Sequence, residues 1–253
     1  MGNDYLYIYG IRTCLSQIQN NHSDIIKIFT KRNSSNKNLK LICDLAIKYK
    51  IMLEYEDNET MSSLSLSNKH QGIVMKINQT SFNNDFTLDY YLQSKKTPLI
   101  LILDSIQDPR NLGSCIRTAN AAGVSLIVKR KANSSSITSL VAKTSSGGLN
   151  GLHVLETNEI VKIIRKLREN NILVIGTDDS SKSNIFDISA VNQGVAIIVG
   201  SEGEGIRKSL LGACDLVCQI PIYGTVECLN VSVATGIALF HLRRKLEKGS
   251  IVK

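Results

Sequence analysis

Residues 98–128 read PLILILDSIQDPRNLGSCIRTANAAGVSLIV. The five consecutive apolar residues from Leu99 to Leu103 predict a strand covered on both faces. Asp108-Pro109 signals a turn. Ser114 to Ala122 then predicts a helix stopped by Gly123, and Leu126 to Val128 a second strand. The alternation continues downstream. Glu159 to Glu169 is amphipathic, with Asn158 as its expected N-cap. Ile172 to Ile175, Val195 to Val199 and Leu216 to Ile220 read as strands, Ile206 to Leu211 as a helix, and Val231 to Lys248 as a last helix that ends basic. Strand alternating with helix predicts an α/β fold with a mostly parallel sheet covered on both sides.

Upstream the elements are shorter. Tyr5 to Tyr9, Ile25 to Phe29, Ile51 to Tyr55 and Gly72 to Lys76 read as strands. Leu39, Ile42, Leu45 and Ala46 place a helix over Leu39 to Lys48. The polar, aperiodic stretch from Asn78 to Asp85 and the Lys95-Lys96-Thr97-Pro98 break read as a connection. The expected organisation is a small α/β domain over 1–77, a linker over 78–97 and a larger domain over 98–253.

Composition narrows the class. With 43% apolar residues among 253, the chain has material for a core and is not a disordered one. Thirty basic residues against 22 acidic leave +8, which suits an anionic partner such as RNA. No apolar run approaches the roughly 18 residues of a membrane span, and Met1 to Leu6 does not read as a secretory signal. Without that signal the six cysteines do not read as a disulfide framework, and the expected location is the cytoplasm. Cys214 and Cys218 have no second pair nearby, so no metal site is expected.

Three segments carry the chemistry. The first is Asp104-Ser105-Ile106-Gln107-Asp108-Pro109-Arg110-Asn111-Leu112-Gly113-Ser114-Cys115-Ile116-Arg117, just past a buried strand, where open α/β sheets place ligands. Asn111 is suited to cap the helix that follows, and Arg117 lies within that helix. The second is Gly200-Ser201-Glu202-Gly203-Glu204-Gly205, again behind a buried strand. Its glycines admit close approach, but their order is not the dinucleotide fingerprint and the glutamates would repel a pyrophosphate. A cationic ligand suits it better; a plain turn is the other reading. The third runs from Ile220 through Glu227-Cys228-Leu229-Asn230 to Gly236, with Asn230 opening the last helix.

In order and spacing, these segments resemble the three motifs of the SpoU (TrmH-like) RNA ribose methyltransferases of the SPOUT superfamily. The likeness covers about residues 98 to 243. The N-terminal part, with Tyr9-Gly10-Ile11 and His70-Gln71-Gly72-Ile73, is similar to the L30e-like RNA-binding domain of that family. The layout is most similar to bacterial members that methylate a guanosine ribose in 23S rRNA.

The resemblance implies a trefoil-knotted catalytic domain, S-adenosylmethionine as cofactor, 23S rRNA as substrate and a homodimer formed through the knot region. It implies cofactor contacts at Gly200, Ile220 and Leu229, and less directly at Thr177. It assigns the reaction to Arg117, with Asn111, Glu202 and Asn230 around it. An arginine is seldom deprotonated, so Arg117 is expected to orient the ribose or its phosphate and to stabilise developing alkoxide charge rather than to act as a base. Arg110, Lys31, Arg32 and Cys228 are expected at the RNA. Cys228 departs from the family, which usually has serine there, and puts a phosphate contact in doubt. Three alternatives follow: a tRNA ribose methyltransferase, a non-catalytic rRNA-binding or assembly factor weakened at Cys228, and a nucleotide-binding oxidoreductase lacking its fingerprint.

Overall fold

The computed structural model describes residues 5–32, 34–78, 87–189 and 191–251. Their contacts divide into two compact units, one within Met1–Asn84 and Ile137–Gly151, the other within Asp85–Ser136 and Leu152–Lys253.

The first unit holds a four-stranded sheet of order β1-β4-β2-β3, made of β1 (Tyr5–Tyr9), β2 (Ile25–Thr30), β3 (Leu53–Tyr55) and β4 (Ile73–Asn78). β4 runs antiparallel to both neighbours, and β2 runs parallel to β3. The unit also contains α1 (Ile11–Asn20), α2 (Lys37–Lys48) and α3 (Asn58–Ser65). Asn36 caps α2 by accepting from the Asn38 and Leu39 amides, and Asp57 caps α3. The 137–151 segment contributes α6 (Ser139–Ser145), which packs on β1. That excursion leaves the larger domain expected over 98–253 and returns to it. Of the expected linker, residues 79–86 lie outside the described residues, whereas α4 (Leu88–Ser94) is an ordered helix. Its Leu88, Tyr91 and Leu92, at helical spacing, are buried in the core of the second unit.

That second unit carries a six-stranded sheet of order β10-β8-β9-β5-β6-β7, parallel at every pairing. The strands are β5 (Leu99–Leu103), β6 (Leu126–Arg130), β7 (His153–Thr157), β8 (Ile172–Thr177), β9 (Gly194–Val199) and β10 (Leu216–Cys218). Ile100 and Ile102 face α4 and α7 (Ile160–Glu169), while α5 (Pro109–Ala121) packs with α9 (Val231–Ile251), and α9 also packs on β9. The short α8 (Lys208–Leu211) joins β9 to β10.

The structure corrects several expected boundaries. α5 begins at Pro109, five residues before the expected Ser114. Its cap is Asp108, whose Oδ1 accepts from the Arg110 amide at 2.8 Å, so Asn111 sits in the first turn and is not the cap. Asn158 does not cap α7; its Oδ1 accepts from the Ala132 amide at 2.8 Å, and Glu159 fills the cap position without a side-chain bond. The helix expected from Ile206 starts at Lys208, and the strand expected to reach Ile220 stops at Cys218.

Candidate active site

β5 and β9 are neighbours paired in register, with Leu103 opposite Val199. The chain turns to opposite sheet edges from this point, since β6 and β7 lie beyond β5 whereas β8 and β10 lie beyond β9. Such a switch point opens a crevice at the strands' carboxyl ends. The first two motifs leave the sheet there side by side.

The glycine-rich loop is closed on itself. The Ser201 amide donates to Gly205 O at 3.2 Å, and the Gly205 amide to Ser201 O at 3.0 Å. A Cβ on Gly200 would stand 2.1 Å from the Gly205 carbonyl carbon, so no larger residue fits this crossing. Arg207 then fastens the loop's end to β5. Its Nε donates to both oxygens of the fully buried Asp104 at 3.0 Å, its Nη2 lies 2.9 Å from Oδ1, and its amide donates to Oδ2 at 3.2 Å. Sequence reasoning gave Asp104 and Arg207 no role. An acid directly behind a buried strand was the available signal, but its partner is 103 positions away.

Asn111, Glu202 and Asn230, one from each motif, meet. Asn111 Nδ2 donates to Glu202 Oε1 at 3.0 Å, Asn230 Nδ2 to the same oxygen at 2.6 Å, and Asn230 Nδ2 also approaches Asn111 Oδ1 at 3.1 Å. Asn230 meanwhile opens α9, because its Oδ1 accepts from the Ser232 amide and hydroxyl.

Beside this cluster lies a cleft of about 330 Å³. Gly200, Ile220, Leu229 and Thr177, the four expected cofactor contacts, all line it, as does the exposed Cys228. Thr177 is held by its hydroxyl, which donates to Ile198 O at 3.1 Å. Apolar walls from Ile206 and Ile222 face carboxylates at Asp178, Glu204 and Glu227. The volume is that of a small-molecule site. This donor set fits a flat base joined to a cation, and it does not fit a polyphosphate.

The other expected site residues are spread more widely. Arg117 stands on α5, exposed and without a hydrogen-bond or ion-pair partner among the described residues, and Asn111 bonds Glu202 and Asn230 rather than Arg117. The next residue, Thr118, meets α9 closely enough that a Cβ on Gly236 would lie 3.4 Å from its Cγ2. Arg110 is exposed in the first turn of α5. Lys31 and Arg32 belong to the first unit, where the Arg32 guanidinium lies 5.4 Å from the centre of the Tyr55 ring. Cys115 is buried, and that burial pushes its thiol up to about 11, which leaves it protonated and no nucleophile. Among the described residues no group of His, Cys, Asp or Glu could hold a metal ion, and no helix is long and apolar enough to cross a membrane.

Comparison with known proteins adds to this geometry. Residues 98–240 match the model of the SpoU rRNA Methylase family, and residues 7–82 that of RNA 2'-O ribose methyltransferase substrate binding. The 23S rRNA (guanosine-2'-O-)-methyltransferase RlmB of Haemophilus ducreyi is 32% identical over 243 residues, covering 95% of this chain and 98% of that protein. RlmB of Coxiella burnetii is 32% identical over 241 residues, covering 95% and 96%. The SpoU methyltransferase AviRb of Streptomyces viridochromogenes, solved with AdoMet, shares the fold with a TM-score of 0.80 at 19% identity, over 97% of this chain and 92% of that one.

Proposed function

Because the chain belongs to the SpoU rRNA methylase family, we propose that it transfers a methyl group from S-adenosylmethionine to the ribose 2'-hydroxyl of a guanosine in 23S rRNA. One observation carries the reading beyond likeness: Asn111, Glu202 and Asn230, drawn from three distant segments, join beside a single cleft.

In this reading the cleft holds the cofactor, with the backbone at Gly200, Ile220 and Leu229 around its nucleoside part and Thr177 at the rim. When bound, S-adenosylmethionine supplies a methyl group on a positively charged sulfur that departs as a neutral thioether. The carboxylates of Asp178, Glu204 and Glu227 favour a cationic occupant there. The Asn111–Glu202–Asn230 network acts as a brace that keeps three loops in one geometry, so that the hydroxyl meets the methyl in line. Arg117 is free to meet the RNA; it orients the ribose or its phosphate and stabilises charge as the hydroxyl loses its proton. Arg110 adds a phosphate contact beside it, and Cys228 faces the same substrate with a weaker donor than serine.

The first domain, with Lys31 and Arg32, binds RNA, and the second performs the transfer in the cytoplasm, where the rRNA is. The second and third motif segments form the trefoil knot. The chain acts as a homodimer through this region. Val233 and Phe240, seven residues apart on α9, are half exposed and offer an apolar stripe for it. The test is transfer of labelled methyl from S-adenosylmethionine to unmodified 23S rRNA fragments and to bulk tRNA, with the 2'-O-methyl positions mapped. Label on one guanosine of 23S rRNA is the expected result. Label on tRNA alone, or on neither RNA, overturns it.

A further inference from the structure

The first unit contains a cavity of about 750 Å³ that the reaction does not use. Its polar lining includes Lys31, Asn36, Glu59, His70 and Gln71, and Leu39 and Gly72 line it too. His70 is only 4% exposed, yet it lines this space. Its Nδ1 accepts from the Gly72 amide at 3.1 Å. The neutral ring therefore carries its proton on Nε2, which has no partner among the described residues. Burial, then Lys31 and Lys143, hold the imidazole below its ordinary range, which keeps it neutral.

The amides are also oriented. Asn36 Oδ1 is taken by the Asn38 and Leu39 amides, so its Nδ2 is left to donate. Gln71 Oε1 accepts from the Ile11 amide at 3.0 Å, which likewise leaves Nε2 to donate. The site thus offers an imidazole N–H, amide donors at Asn36 and Gln71, the Lys31 cation and the Glu59 carboxylate. Those are the groups that read a nucleobase edge beside a phosphate. Next to Lys31, Arg32 stacks on the half-exposed Tyr55, an aromatic and guanidinium surface at the same end of β2 and β3.

We propose that this cavity takes one unstacked nucleotide of the RNA substrate, its phosphate at Lys31 and its base edge at His70, Asn36 and Gln71. The inference rests on the reading of the chain as an RNA methyltransferase, and it names which feature of the RNA the first unit selects. An unpaired nucleotide within folded rRNA can enter the cavity, whereas a base locked in a duplex cannot.

The test uses the full chain with a labelled single-stranded RNA decanucleotide and a fully paired duplex of the same length. Lys31→Met and Asn36→Asp are compared with Lys48→Met, a basic control at the far end of α2. Asn36→Asp keeps the capping oxygen, removes the amide donor and places a negative charge where the base edge would lie. Each of the first two is expected to weaken single-strand binding about tenfold while leaving duplex binding and melting temperature unchanged. Lys31→Met should also flatten the logarithmic salt dependence by about 0.7, the value for one phosphate contact on a single strand. Equal binding by either variant and wild type, or equal loss on strand and duplex, overturns the proposal. Loss with Lys31→Met alone reduces the cavity to a phosphate contact and overturns it as well. Binding is read without methyl transfer, so an inactive chain that still discriminates strand from duplex would defeat the proposed function and leave this inference standing.

Discussion

In the proposed reaction, Arg117 is the residue on which the chemistry turns. It is exposed and unpaired among the described residues, so its removal should disturb little but the reaction. Arg117→Ala is expected to lower turnover about 10²-fold or more while calorimetry shows S-adenosylmethionine still bound. Full turnover would remove it from the mechanism. Cys228→Ser restores a stronger donor at the cleft rim and should keep or raise activity in the same assay; a large loss would give the thiol a role of its own. Asp104 and Arg207 make the opposite case, since they are structural and their asymmetry is testable. Arg207→Ala strands a fully buried carboxylate and should cost about 3 kcal/mol in urea unfolding. Asp104→Ala leaves a guanidinium that is 37% exposed and can turn to water, so it should cost less.

At the scale of elements, the first turn of α5 decides where Asn111 points. Asp108 caps that turn and Pro109 pre-sets its backbone. Asp108→Ala should therefore destabilise the chain by about 1 kcal/mol in urea unfolding and lower turnover through Asn111. The buried strands were legible because five apolar residues in a row admit few other readings. The helices α1, α3, α4 and α6 were not: the last three span only seven or eight residues, and α1 opens behind Gly10 without a side-chain cap. α3 did carry a usable sign, Asp57 accepting from the Thr60 amide, and α4 another in Thr87. The four cofactor contacts expected from the resemblance all line one cleft. The brace itself could not be read: the bond between Asn111 and Glu202 depends on β5 and β9 lying side by side, which no local pattern encodes. The cavity in the first unit escaped for a similar reason: His70 belongs to a landmark of the RNA-binding domain, but its cavity forms only when α2 and α3 are placed beside it.

For the molecule as a whole, acid is the condition to vary. Burial first, and nearby lysines and Arg244 second, hold His70 and His241 below the ordinary histidine value near 6.5. Their folded values are depressed, so the stability they contribute is complete above about pH 6.5 and is lost as pH falls through the folded values. The urea midpoint should drop between pH 7.5 and 5.5, and His70→Asn should flatten the drop. A midpoint independent of pH across that window would mean that both rings are already free to charge. The interleaved chain path also has a consequence in time. Residues 137–151 complete the first unit only after β5, α5 and β6 of the second have been made. Asn230 follows Asn111 by 119 positions. At roughly 5–20 residues per second, about 6–24 s of synthesis separate the two halves of the brace. If the proposed function holds, a growing chain completes its RNA-holding unit well before its reaction centre.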